Sequence, residues 1–114
     1  MLQMAAGAAF AQKLGSVNSQ KDTFNPLSDK KQFKGYLIRL NLNNQGQFAF
    51  DILKPHSPIV VQIQNPLAFS YKGIQKREDA YKIAQWIINE YQRTGHWLNL
   101  VPPHIARQLG IETN

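Results

Sequence analysis

The chain has 114 residues, 43% hydrophobic and 18% charged, with no cysteine and a formal net charge of +6. That is a single-domain length with one modest core; the apolar fraction excludes wholesale disorder, and the missing cysteines exclude disulfides and thiolate metal sites. The positive balance favours anionic surfaces, which is a bias on encounter and not a function.

The first twelve residues read MLQMAAGAAFAQ, and Ala9-Phe10-Ala11 is a small-aromatic-small triplet of the kind that precedes a signal-peptidase cut. No basic residue precedes it. The expectation is that Met1 lies within a longer leader and that the mature protein begins near Gln12, with an Ala-rich terminus of a cytosolic protein as the alternative. No stretch approaches the roughly 20 apolar residues of a membrane span. Residues 12–32 are polar, with Asn25-Pro26 and Ser28-Asp29 as turn signals. Residues 1–32 therefore read as a leader remnant or flexible linker, and residues 33–114 as a single α+β domain.

Tyr36, Ile38, Leu40 and Leu42 alternate with Leu37, Arg39 and Asn41, the two-residue period of a half-buried strand. Phe48, Phe50 and Ile52 alternate in the same way with Ala49, Asp51 and Leu53. A three-residue loop of Asn44, Gln45 and Gly46, with Gly46 in the left-handed position of a bulged type I turn, pairs Asn43 with Gln47. Leu42 then faces Phe48, Leu40 faces Phe50 and Ile38 faces Ile52, while Arg39 meets Asp51 on the other side. A one-residue slip would set Leu40 against the face of Ala49 and Asp51 and strip the sheet of its apolar side. Pro55-His56-Ser57-Pro58 suits a turn better than a central strand. A four-residue loop there places Ile52 opposite Val61 and Phe50 opposite Ile63, with Val60, Gln62 and Gln64 outward. The prediction is a three-stranded antiparallel meander.

Residues 65–73 are irregular, and Ile74 is the apolar residue before a long helix from about Lys76 to Arg93. Ala80, Ile83, Ala84, Ile87, Ile88 and Tyr91 form its apolar stripe. Glu78 and Asp79 in the first turn, Arg93 in the last and Gly95 beyond it suit the helix dipole and stop the helix, whereas Lys76 is a poor N-cap. Pro103 to Leu109 forms a short second helix closed by Gly110, anchored by Ile105, Leu109 and Ile111.

Chemistry finds little purchase. His56, His96 and His104 lack a second ligand at helix or hairpin spacing, so no metal is assigned. Ser57 and Ser70 lack a nucleophile elbow, and no glycine-rich phosphate loop occurs. Asp51 is accounted for by Arg39, and Glu78, Asp79 and Glu90 fall on the polar side of the helix. No catalytic residue and no cofactor is expected.

Trp86 stands apart. At about 100° per residue it falls roughly 200° from Ala84, on the side of Lys82, Asn89 and Arg93. Either the N-terminal arm or the segment from Trp97 to Leu100 covers it, or it anchors an interface. Trp86, Lys82, Arg93 and Tyr71 form the candidate interaction surface, for an unidentified protein or envelope component or, as the alternative, nucleic acid.

The block from Phe48 to Ile111 resembles a family of short, usually exported bacterial domains known only as a domain of unknown function. The likeness rests on the aromatic strand Gln47-Phe48-Ala49-Phe50-Asp51-Ile52, a strand ending at Gln62 with Pro66 four residues on, Ile74 before the helix, Ala80 opening its stripe, and the closing Leu109-Gly110-Ile111. Ser70, Ile74 and Lys76 depart from the family's glycine, phenylalanine and capping Ser or Thr, which bears on the tightness of the loop from Asn65 to Gly73. The resemblance implies an exported, envelope-associated interaction module and supplies no catalytic residue.

Overall fold

The computed structural model describes residues 21–56 and 59–111. The expected leader cut near Ala11 lies outside these residues. The architecture is α+β: four antiparallel strands in the order β1-β2-β3-β4, with β1 at Lys30–Phe33, β2 at Tyr36–Leu42, β3 at Phe48–Leu53 and β4 at Ile59–Ile63, followed by helices α1 (Arg77–Thr94) and α2 (Pro103–Gln108).

Alternation sets the register among β2, β3 and β4. Leu42 pairs with Phe48, Leu40 with Phe50, Ile38 with Ile52 and Arg39 with Asp51, all as the hydrophobic pattern requires. The Asn43 N–H donates to the Gln47 carbonyl at 2.9 Å, and Gly46 has φ 72, the left-handed position that the three-residue loop demands. Across β3 and β4, Ile52 pairs with Val61 and Phe50 with Ile63. The ladder then becomes irregular, so that Leu53 pairs with Ile59 and Val60 is passed over.

The sheet departs from expectation at β1. Lys30–Phe33 pairs along β2 from Lys30↔Arg39 to Phe33↔Tyr36, and all but its last residue lie in the stretch read from the sequence as a leader remnant or linker. Its pattern is polar because it is an edge: lysines along an outer strand discourage pairing with other chains and need no apolar alternation. The preceding residues are also tied into the fold. Asp22 donates its N–H to the Gln75 carbonyl at 3.1 Å, and the Phe24 ring meets Phe48 edge-on at 6.4 Å.

α1 lies across β2 and β3. Ala80, Ile83, Ala84, Ile87 and Ile88 are fully buried against Ile38, Leu40, Phe48, Phe50 and Ile52. Each large side chain buried this way contributes about 1.5–3 kcal/mol. The helix ends where Gly95, in the left-handed conformation, donates its N–H to the Tyr91 carbonyl at 2.7 Å. At its other end Lys76 offers no side-chain cap. The cap comes from 55 residues away, where the Asp22 carboxylate accepts the Arg77 N–H at 2.8 Å. In α2, Ala106 is the fully buried residue, while Ile105 and Leu109 pack half-buried against the core and Ile111 is buried beyond it.

Candidate interaction surface

The four residues singled out from the sequence occupy three settings. Lys82 and Trp86 are one turn apart on α1 and share a side. Trp86 is half-buried and packs against the core cluster, and the Lys82 ammonium donates to the Leu109 carbonyl at 3.3 Å. The chain that follows α2 therefore lies against the side of α1 that would otherwise be bare. Trp97, one of the two covers considered for Trp86, goes elsewhere: its ring stacks on Tyr91 at 4.0 Å and 7° and meets Tyr36 edge-on at 5.6 Å. Arg93, about 16 Å farther along the helix than Lys82, is exposed and paired with Glu90. Tyr71 is 85% exposed in the loop before α1, its carbonyl accepting from Gln47 Nε2 at 2.9 Å. The fold brings Lys82 and Trp86 together and leaves Arg93 and Tyr71 at separate places.

The loop carrying Tyr71 is firmly built. Leu67 is fully buried, and two successive turns close with Ser70 N–H to Leu67 carbonyl at 2.9 Å and Gly73 N–H to Ser70 carbonyl at 3.2 Å. Gln47 crosses beneath, its amide oxygen accepting from Asn43 Nδ2 at 3.0 Å. Gly73 has φ 62, and a Cβ there would stand 2.3 Å from the Gln47 amide carbon. Glycine is required twice, by the left-handed backbone and by the closeness of a buried, hydrogen-bonded amide.

This rigidity positions an apolar groove absent from the sequence-based reading. Ala68 and Phe69 form one wall, and Leu100, Val101, Pro102 and Pro103 form the other, around a volume of about 370 Å³. The walls are joined where Val101 donates its N–H to the Pro66 carbonyl at 2.9 Å. Phe69 remains 42% exposed and Leu100 50%, and no charged residue lines the space. A signal for it lies in the sequence: Phe69, Leu98 and Leu100 are large apolar residues outside every periodic stretch, so neither a strand nor a helix accounts for them.

At the base of α1 the polar groups are paired. Asp29, 2% exposed, accepts from Arg77 Nε and from the Asn25 N–H at 2.7 Å, and Arg77 Nη2 also donates to the Thr23 carbonyl at 2.6 Å. Burial raises the Asp29 pKa, but the Arg77 hydrogen bond, the Asn25 N–H and the Arg77 charge outweigh it and leave the carboxyl below its usual 3.8. Burial and the Asp29 charge push the neighbouring Tyr81 phenol up, with Arg77 opposing. This cluster ties chain to helix. Among the described residues no three His, Cys, Asp or Glu side chains converge to hold a metal ion, and no helix is long and apolar enough to cross a membrane.

No protein-family model matches the chain, and no curated protein or solved structure is similar enough to count as a match.

Proposed function

We propose that this chain is a non-catalytic interaction module whose docking surface is the groove between Phe69 and Leu100–Pro103, and whose partner is an uncharged apolar segment of another protein. The observation that carries it is the wholly apolar, charge-free lining, held open by a well-anchored loop. A lining without charges offers an acidic peptide or a nucleic-acid backbone no counter-charge, whereas an apolar segment gains by covering Phe69 and Leu100. The resemblance of Phe48–Ile111 to exported bacterial domains, together with Ala9-Phe10-Ala11, supports a place in the bacterial cell envelope. Native material beginning at Gln12 would support that placement, and an intact Met1 would remove it.

Photo-crosslinking tests the docking surface. A photoreactive residue at position 69 or 100 is expected to capture a partner through an apolar peptide, and one at Lys54 is not. Equal capture from all three positions, or adducts on charged peptides, would overturn the reading.

A second reading, a small basic nucleic-acid binder, draws on the net charge of +6. It predicts retention on single-stranded DNA that falls steeply with salt and is lost on charge reversal at Lys82 and Arg93. The half-buried Trp86 and the Arg93–Glu90 pair weigh against a stacking platform there.

A further inference from the structure

The opposite end of the sheet carries a second concavity of different chemistry. Phe33 and Tyr36 are directly paired across the β1–β2 hairpin, and with Lys34, Gly35 and Pro55 they line a pocket of about 240 Å³. The Lys34 ammonium lies 5.4 Å from the Phe33 ring centroid, and the Lys54 ammonium 5.7 Å from that of Tyr36. Each ring attracts its cation, so Lys34 contributes one ammonium group to the pocket lining and Lys54 holds a second against a ring that lines it.

Neither lysine has a carboxylate partner among the described residues. Arginines hold four of the acids: Arg39 pairs with Asp51, Arg77 with Asp22 and Asp29, and Arg93 with Glu90. Lys34 donates to Asn89 Oδ1 at 2.6 Å, which steadies the side chain and leaves two of the three ammonium donors available. The backbone here is unusual as well. Lys34 at φ 50 and His56 at φ 61 are the two non-glycine residues with positive φ among those described, and both stand at this end of the sheet. Such conformations cost on the order of 1 kcal/mol or more, and they concentrate at ligand clamps. Beside them, a Cβ added to Gly35 would meet nothing within 4 Å, so the hairpin tip is open.

We propose that this pocket binds a phosphate monoester, with the phosphate between the Lys34 and Lys54 ammonium groups and the organic body against Phe33 and Pro55. The charge argument selects the class. A phosphate monoester carries roughly −1.5 to −2 near pH 7 and so matches two ammonium groups, whereas a carboxylate would leave one uncompensated. Lysines serve phosphate well because they act as point charges and need no fork geometry. A soluble phosphate ester and a phosphatidic-acid headgroup share this chemistry.

The test follows backbone amide shifts of the full chain titrated with phenyl phosphate, inorganic phosphate and phosphatidic-acid vesicles, with phosphatidylcholine vesicles as control. Saturable shifts are expected at Phe33–Leu37 and Lys54, with phenyl phosphate tighter than inorganic phosphate. The double variant Lys34→Gln, Lys54→Gln should bind at least tenfold more weakly, whereas Lys30→Gln, Lys72→Gln, the same loss of two charges outside the pocket, should bind as the parent does. If the double variant melts lower, Lys54→Gln alone, which breaks no hydrogen bond, carries the comparison. Saturation by phenyl phosphate identifies a soluble ester as the ligand. A response to phosphatidic-acid vesicles alone, still lost in the variants, identifies the lipid. Shifts spread over lysines throughout the chain, undiminished binding by the variants, or silence with every probe would overturn the proposal.

Discussion

Two segments flank α1, and they are held by different forces. The N-terminal one, from Asp22 to Phe33, is fastened by specific polar groups: the Asp22 cap, the buried Asp29 on Arg77 and the ladder to β2. The C-terminal one, from Trp97 to Ile111, is fastened by rings and apolar side chains, with Trp97 between Tyr91 and Tyr36 and with Val101, Ala106 and Ile111 buried. Polar fastening is directional and holds each group at one place. Apolar fastening tolerates imperfect coverage, and the exposed groove lies along that second segment.

The comparison is most readily broken at Trp97. Trp97→Ala removes a stacked and an edge-on ring contact and is expected to cost about 3 kcal/mol, measured by chemical denaturation; a loss below about 1 kcal/mol would mean that the C-terminal segment is held elsewhere. Asp29→Ala comes next, at about 2 kcal/mol for the lost charge-assisted hydrogen bonds. Its signature is pH. A carboxyl whose pKa is lowered on folding contributes stability that is present above the unfolded value near 3.8 and is lost as the pH falls through the folded value. The parent should therefore lose stability on acidification below about pH 4, and Asp29→Asn should lose less over the same range. Trp97→Ala should retain the parent's acid dependence, and identical acid profiles for all three proteins would refute the distinction between the two fastenings.

Smaller effects sharpen the picture. Asp22→Ala is expected to lower stability by about 1 kcal/mol, the usual worth of a helix cap, with faster amide exchange confined to the first turn of α1. Leu100→Asn should change stability by no more than about 0.5 kcal/mol, because its side chain is already half in water. A large loss there would make the groove part of the core instead of a docking surface.

Most of the fold was legible residue by residue. Arg39 opposite Asp51, and Leu40 opposite Phe50, follow from a period of two and a loop of three, because any slip turns the apolar face to water. The stripe from Ala80 to Ile88 likewise declares the face that meets the sheet, although Asp79, read as lying on the polar side, is buried as well. The strand β1 was not legible, since KKQF has no alternation and its place depends on a neighbour already in the sheet. Asp22 as the cap of α1 was not legible either, because local spacing is silent about a carboxylate 55 residues away. Trp86 was legible as a residue off the stripe, whereas its packing against the core could not be read from a helix projected alone.

The amino-acid sequence by itself determined which sides of the sheet and of α1 face each other, how three of the four strands register and where α1 stops, all consequences of short-range periodicity and turn chemistry. Only the tertiary structure decided that residues 22–33 belong to the sheet and the helix start, that the chain after α2 comes beside Lys82, and that Phe69 meets Leu100 across a groove. Those outcomes depend on contacts between residues far apart in the chain, and such contacts are selected by what remains uncovered once the local elements have formed.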